Sequence, residues 1–223
     1  MTILFDYDGT IHDTKRLYGN AFRKAYRFLV QEGYAADRYY ADEEVSRYLG
    51  FSAPDMWRDF MPELPHEVME QASTIIGQEL IAGVENGQAV LYDGIPSVLT
   101  LLREQGYSLM VLSNCREAYM EAHRYALKLD RWFCDYFCGE TYGFAPKEEI
   151  FDRIAKKYPD TSFLMIGDRA SDIEVGRVHR LPSIGCLYGF GSPEELRNAV
   201  LTVQTPSELP EAIRKIMNLS VSH

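Results

Sequence analysis

The chain has 223 residues, of which 46% are hydrophobic and 25% charged, and its formal net charge is −10 at pH 7. This acidic excess disfavours non-specific binding to nucleic acid or anionic membranes, and no apolar run approaches the roughly 18 residues of a membrane span. The length allows one large domain or a core domain with a smaller companion. Because no secretory leader precedes the first strand, we expect a cytoplasmic protein. We expect it to be a monomer or homodimer without membrane or nucleic-acid partners.

The first predicted element is a strand at the very beginning of the chain, residues 2–5. Asp6 and Asp8 follow it directly, so two carboxylates stand where a buried strand ends, which is the edge at which open α/β sheets bind ligands. Side chains two residues apart point to the same side of an extended chain. Such a pair suits a cation, a nucleophile with its acid, or both, although an ordinary Asp-Gly turn needs no chemistry. Gly9 permits a tight backbone path, and Thr10 offers a hydroxyl and an N–H to an anion.

The next stretch has the periodicity of helices and no strand signal as far as residue 85. One long amphipathic helix is followed by two short ones, and a fourth starts at a proline and ends near Gly83. The predicted helices lie at residues 15–34, 42–49, 54–60 and 65–82. We predict that residues 15–86 form a small helical cap domain inserted after the first strand, and that residues 1–14 and 87–223 form the core domain.

From Tyr92 onward, apolar β-type runs alternate with helical patterns, which predicts βα units around a parallel sheet. The predicted strands lie at residues 107–112, 133–138, 162–166, 183–187 and 200–203. The predicted helices lie at residues 96–105, 117–129, 147–157, 171–178, 193–197 and 206–217. The fold class is therefore α/β, with a Rossmann-like parallel sheet in the core. The four cysteines lack zinc-site spacing and are expected to be buried thiols: Cys115, Cys134, Cys138 and Cys186.

Polar residues mark the ends of further predicted strands. Ser113 and Asn114 follow one strand, where a helix cap is the simpler explanation. Asp168 follows another, and the four-residue spacing to Asp172 puts the second carboxylate one helical turn into the next helix, back beside the first. Helix capping would account for Asp168 but not for a second acid facing it. Lys147 stands at the start of a predicted helix.

Several of these stretches resemble the motifs of one family, in that family's order. Asp6-Tyr7-Asp8-Gly9-Thr10 resembles the first motif of the haloacid dehalogenase (HAD) superfamily in its phosphatase form. Leu112-Ser113-Asn114 resembles its hydroxyl motif, and the run from Gly167 to Asp172 resembles its acidic motif. Lys147 is placed by its order in the chain, since the Lys-Pro pair of many relatives is missing. The helical insert and Ser183-Ile184-Gly185 further resemble the phosphoglycolate phosphatase branch.

The resemblance implies an HAD-like fold and a Mg²⁺-dependent phosphatase that hydrolyses a small phosphorylated metabolite, a phosphoglycolate-like phosphomonoester, through an aspartyl phosphate. It implies that Asp6 is the nucleophile, that Asp8 is the acid and base, and that Lys147 takes up non-bridging oxygens. The implied metal ligands are Asp6, Asp8 through its backbone carbonyl, Asp168 and Asp172. The implied phosphate-binding residues are Gly9, Thr10, Ser113 and Asn114, with Arg47 or Arg58 as candidates for a substrate carboxylate, although solvated helix-face arginines are the commoner case.

Three other functions stay open at this point. A phosphosugar mutase of the same superfamily shares the core motifs, and a pyrophosphatase or nucleotidase would share them too, because specificity resides in the cap. A non-catalytic receiver-like phospho-acceptor module also uses acids, a hydroxyl and a lysine. Motif order argues against that module, because here the acidic pair opens the chain.

Overall fold

The centre of the molecule is a parallel β-sheet. The computed structural model describes residues 1–221. The strands are β1 (Thr2–Phe5), β2 (Ser108–Ser113), β3 (Phe133–Cys138), β4 (Phe163–Gly167), β5 (Ser183–Cys186) and β6 (Leu201–Val203). Their order in the sheet is β3-β2-β1-β4-β5-β6, and every neighbouring pair is parallel. The predicted Rossmann-like α/β fold is thereby confirmed.

Strand β1 lies in the middle of this sheet and is buried on both faces. Successive side chains of a strand point to opposite faces. Ile3 and Phe5 accordingly join one apolar cluster, and Leu4 joins another on the other face. An apolar run without alternation is what a strand covered on both sides requires.

Helices cover the two faces of the sheet. On the face of Ile3 lie α5 (Ile95–Glu104), α6 (Glu117–Leu127) and α9 (Leu209–Val221), whose apolar residues share its cluster. On the face of Leu4 lie α7 (Lys147–Lys157) and α8 (Ala170–His179). Because right-handed crossovers place the helices this way, the carboxyl ends of β1, β2 and β4 remain open to a ligand.

The segment between β1 and β2 begins with four helices that share an apolar cluster of their own. They are α1 (Lys15–Gln31), α2 (Asp42–Ser46), α3 (Ala53–Phe60) and α4 (His66–Glu85). The centre of the cluster contains the rings of Phe22 and Trp57, and the indole N–H of Trp57 donates a hydrogen bond to Ser73 Oγ at 2.7 Å. Within residues 1–221, no helix is long and apolar enough to cross a membrane.

Two expectations from the sequence are wrong. Residues 193–198 form turns instead of a helix: the backbone N–H of Ser192 donates to the Glu195 carboxylate, and that of Glu195 donates to Ser192 Oγ, so the segment closes on itself after one turn. The cysteines are not all buried, since Cys134 is exposed and Cys115 is partly exposed. Cys134 lies on β3, which is at one edge of the sheet.

Candidate active site

Three aspartates and one lysine meet at the carboxyl end of the sheet. Asp6 follows β1, Asp168 follows β4, and Asp172 lies in the first turn of α8. One carboxylate oxygen from each aspartate lies within 4.8 Å of the others, and all three residues are buried. Lys147, the first residue of α7, extends into this group, which we call the acid cluster. The sequence had indicated all four residues as site residues, and the structure brings them together.

Lys147 lies between two of the carboxylates. Its Nζ donates to Asp6 Oδ1 at 2.7 Å and to Asp172 Oδ1 at 2.6 Å, and its side chain is 1% exposed. Burial alone would lower the pKa of Lys147, but the charges of Asp172 and Asp6 raise that pKa above its ordinary value. The ammonium group therefore stays charged and fixes the orientation of the Asp6 carboxylate.

The charge of the acid cluster is not balanced by Lys147. Three carboxylates against one ammonium leave a formal excess of two negative charges. Burial, reinforced by the charge of Asp172, raises the pKa of Asp6 well above its ordinary value and that of Asp168 to about 7. A cluster that holds its protons this strongly is short of positive charge, and a divalent cation would supply it.

The free oxygen atoms also fit a divalent cation. Asp6 Oδ2 is buried and has no hydrogen-bond partner in the described part of the chain. The oxygens of Asp168 accept hydrogen bonds from the Thr10 hydroxyl at 3.1 Å and the Phe190 N–H at 2.7 Å, each of which leaves a lone pair available. Because both oxygens of Asp172 are engaged, by Lys147 and by a backbone N–H, that residue stands behind the other two. Hard divalent cations prefer such oxygen donors.

The Asp8 carboxylate faces away from the acid cluster and forms a second polar group. Three donors converge on its Oδ1 atom: Thr14 Oγ1 at 2.5 Å, Tyr119 OH at 2.7 Å and His12 Nδ1 at 3.1 Å. Burial raises the pKa of Asp8, but the hydrogen bonds and charge of His12 and the Thr14 hydrogen bond outweigh it, so the net pKa is lowered. Since Oδ1 is occupied, Oδ2 is the oxygen available for proton transfer.

Sequence reasoning missed most of this surrounding group. His12, Tyr119 and His123 were given no role at the site from the sequence. His123 is fully buried and its Nδ1 lies 2.8 Å from the Tyr7 hydroxyl, while its ring packs 4.5 Å from that of His12. Burial and the neighbouring His12 lower the pKa of His123 to about 3, so this histidine is neutral. No local pattern could have indicated a contact between residues 111 positions apart, such as Tyr119 and Asp8.

Two of the predicted phosphate-binding residues do not point to a ligand. The N–H of Gly9 donates to the His12 carbonyl and that of Thr10 to the Tyr7 carbonyl, while the Thr10 hydroxyl donates to Asp168. Gly9 is required for another reason: its φ is +88°, and a Cβ there would lie 2.3 Å from Asp168 Oδ2. In residues 1–221 the N–H groups of Tyr7 and Asp8 carry no hydrogen bond, so they are better candidates for an anion.

The other predicted binding residues lie in different places. Ser113 is buried at the end of β2. The Asn114 side-chain amide donates to the Gly50 carbonyl at 3.1 Å, which joins the sheet to the loop between α2 and α3. Arg47 does not line the cavity beside Asp8; its side chain is 64% exposed and pairs with Asp59. Arg58 is likewise exposed and pairs with Asp55, so neither arginine is placed for a substrate carboxylate.

A cavity of about 120 Å³ lies between the carboxyl end of the sheet and the helical segment that follows β1. Asp8 and Asn114 line it from the sheet, Met56 and Trp57 line it from α3, and Leu49 lines it from the loop between α2 and α3. Asp6 does not line it. The cavity is therefore next to the Asp8 side of the site, away from the acid cluster.

The chain is similar in sequence to proteins of known families. The family model described as haloacid dehalogenase-like hydrolase matches residues 1–179, and a second model of HAD-like hydrolases matches residues 145–215. A phosphoglycolate phosphatase from Agrobacterium fabrum is 32% identical over 107 residues, which is 47% of this chain and 46% of that protein. A 5′-nucleotidase from Pseudomonas aeruginosa is 28% identical over 202 residues, covering 87% of this chain and 86% of that protein.

Solved structures show the same fold. The crystal structure of a predicted phosphatase from Clostridium acetobutylicum superposes with a TM-score of 0.84 at 24% sequence identity. The superposition covers 96% of this chain and 98% of that one. Because the match extends over the helical segment as well as the sheet, the whole arrangement recurs in that protein.

Proposed function

The chain belongs to the haloacid dehalogenase-like hydrolase family, and from this premise we propose that it is a Mg²⁺-dependent phosphatase of small phosphorylated metabolites. The observation that carries the proposal is the acid cluster, in which Lys147 holds one oxygen of Asp6 and leaves the other free. A buried carboxylate with one free oxygen suits nucleophilic attack on phosphorus. The relatives named phosphoglycolate phosphatase and 5′-nucleotidase are consistent with this chemistry.

Asp6 and Asp168 would hold the Mg²⁺ ion, with Asp172 behind them. The ion, when bound, supplies positive charge that lowers the repulsion between an anionic nucleophile and a phosphate dianion. The side chain of Asp8 lies outside the acid cluster, so of its groups only the backbone carbonyl remains a candidate ligand. Mg²⁺ is proposed because all the donors are oxygens.

Asp6 and Asp8 would divide the chemistry between them. Asp6 attacks phosphorus through one carboxylate oxygen and forms an aspartyl phosphate, while the bond between phosphorus and the leaving oxygen breaks and Asp8 Oδ2 gives that oxygen a proton. Water then attacks the same phosphorus, Asp8 accepts its proton, and inorganic phosphate leaves with Asp6 restored. Asp8 ends each cycle with the proton that it took from water, so it can protonate the next leaving oxygen.

The remaining site residues would bind the phosphoryl oxygens. Lys147 offers its ammonium group, Ser113 its hydroxyl, and Tyr7 and Asp8 their backbone N–H groups.

We further propose that residues 15–86 act as a cap over a core made of residues 1–14 and 87–223. The contacts between these parts include the hydrogen bond of Asn114 with the Gly50 carbonyl and the ion pair of Arg116 with Glu70 at 3.2 Å.

The test is release of phosphate from phenyl phosphate by the purified protein, before and after chelation and with Mg²⁺ restored. We expect activity to disappear on chelation and to return with Mg²⁺. Asp168→Asn should abolish most turnover, and the control Asp160→Asn, which removes an exposed acid in a turn, should leave it unchanged. Full activity after thorough chelation would refute the proposal.

A further inference from the structure

The cavity beside Asp8 has an aromatic lining. The aromatic side chains that face it are Tyr18, Tyr48, Phe51, Trp57, Tyr119 and Phe144. Asp8 also lines this cavity, and under the proposed function its Oδ2 protonates the leaving oxygen. The space that Asp8 faces is therefore the space that the leaving group of the substrate occupies.

The charges around this cavity do not favour an anionic leaving group. Among the lining residues of the described chain, the charged ones are Asp8 and Arg116. Arg116 is already engaged, since its two terminal nitrogens lie 3.2 Å from Glu70 and 3.2 Å from Glu140. A carboxylate or a second phosphate in the cavity would find no unpaired cation and would lose its hydration without compensation.

Phe144 provides an independent observation. Its φ is +57°, a left-handed conformation that bulky L residues avoid because Cβ approaches the following carbonyl oxygen. Strain of this kind persists where the surrounding structure imposes it, and it concentrates at ligand sites. Here the strained residue places an aromatic ring in the wall of the cavity.

The volume of the cavity limits the size of its occupant. At about 120 Å³ it is somewhat smaller than an apolar protein cavity of roughly 150 Å³ that binds benzene. One aromatic ring or a comparable branched alkyl group would fill it.

We propose that the substrate is a phosphate monoester whose leaving group is uncharged, apolar and about the size of one aromatic ring. This inference rests on the proposed function, because it takes Asp8 as the residue that protonates the leaving oxygen. It goes further by excluding two chemistries that the family resemblance allowed, a leaving group with a carboxylate and a leaving group that is itself a phosphate.

The first experiment compares benzyl phosphate with phosphoglycolate. Both esters release a primary alcohol, so both depend on protonation of the leaving oxygen. We expect kcat/KM for benzyl phosphate to exceed that for phosphoglycolate and for pyrophosphate by at least roughly tenfold, the scale at which an apolar pocket discriminates. Equal or better turnover of phosphoglycolate or pyrophosphate would overturn the inference.

The second experiment frees Arg116 from one of its two carboxylate partners. Glu70→Gln removes one of the two carboxylates on Arg116, so kcat/KM for phosphoglycolate should rise several-fold relative to benzyl phosphate. The matched control is Glu79→Gln, which lies on the same helix but pairs with Lys24. Identical substrate ratios in the two variants would contradict the charge argument.

The third experiment removes the strained ring. Phe144→Gly relieves the left-handed conformation, so the variant should stay folded while kcat/KM for benzyl phosphate falls by roughly tenfold or more relative to propyl phosphate. Lys128→Gly is the matched control, because Lys128 has a φ of +52° at the end of α6, away from the cavity. An unchanged benzyl-to-propyl ratio in Phe144→Gly would count against the inference.

A binding measurement separates this inference from the proposed function. Benzylphosphonate and phosphonoacetate cannot be hydrolysed, so calorimetry with the Mg²⁺-loaded protein reads the cavity without turnover. Tighter binding of benzylphosphonate, with no phosphate release from any ester, would reject the phosphatase and keep the apolar cavity. Tighter binding of phosphonoacetate, together with active hydrolysis, would reject the apolar leaving group and keep the phosphatase.

Discussion

Asp168→Asn should stabilise the protein in the absence of metal, and should do so more strongly at higher pH. The pKa of Asp168 is raised from 3.8 to about 7 in the folded protein, because the residue is buried beside Asp172. A carboxyl group whose pKa is higher in the folded than in the unfolded protein stabilises the fold in its protonated form. That contribution is complete below the pKa of the unfolded protein and is lost as the pH rises through the pKa of the folded protein. A shift of this size corresponds to about 4 kcal/mol of unfolding free energy.

The variant removes the charge and keeps the shape. Asn can accept the Phe190 N–H with its oxygen, while its amide faces Thr10, whose hydroxyl can turn to accept. Exchanging these hydrogen bonds costs about 1 kcal/mol. At about pH 8 the variant should therefore be roughly 3 kcal/mol more stable than the natural protein, and at about pH 5 the difference should fall below roughly 1 kcal/mol.

The assay is urea unfolding in the presence of a chelator at both pH values. Asp160→Asn serves as the control, because that acid is exposed. With Mg²⁺ at about one thousand times its Kd the order should reverse at both pH values, since such a ligand adds about 4.1 kcal/mol to the natural protein alone. A variant that is less stable than the natural protein at the higher pH, or a stability gap independent of pH, would refute this reasoning.

Three further substitutions give separate outcomes. Lys147→Met should lower the unfolding free energy by about 3–5 kcal/mol in denaturant titrations and abolish turnover, because it leaves two buried carboxylates without their partner. Tyr119→Phe removes a 2.7 Å hydrogen bond to Asp8 and should lower kcat on alkyl phosphates by roughly tenfold, but on nitrophenyl phosphate by much less. Arg47→Ala should change kcat/KM for phosphoglycolate by less than about twofold, because that guanidinium is exposed and pairs with Asp59.

The fold could be predicted because its strands and helices carry strong patterns. Strand β1 is a continuous apolar run, which a central parallel strand requires, and the helical period of α1 extends over residues 15–31. The helix predicted at residues 193–197 does not form. What resembles the start of a helix is a pair of reciprocal hydrogen bonds between Ser192 and Glu195. Such local pairings give the same sequence signal as a helix cap.

The acid cluster could be predicted because its residues stand at the ends of predicted strands and in the first turns of predicted helices. Asp168 and Asp172 are four residues apart, so helix geometry alone brings them together. The Thr10 hydroxyl was expected to face an anion, but the buried Asp168 carboxylate needs a donor and takes it. Tyr119 reaches Asp8 through the packing of α6 against the turn after β1, and a contact of that kind leaves no mark in the sequence.

The central claim is that Asp6 is the nucleophile and Asp8 the proton donor and acceptor, and mass spectrometry of two variants tests it directly. Asp8→Asn keeps the Oδ1 acceptor that Thr14, Tyr119 and His12 contact, and it loses only the proton-transferring oxygen. With nitrophenyl phosphate and Mg²⁺ it should form the aspartyl phosphate and hydrolyse it roughly 10²–10⁴-fold more slowly, so the phosphorylated protein accumulates. Asp6→Asn should stay unphosphorylated. Phosphorylation and continued turnover of Asp6→Asn would contradict the account.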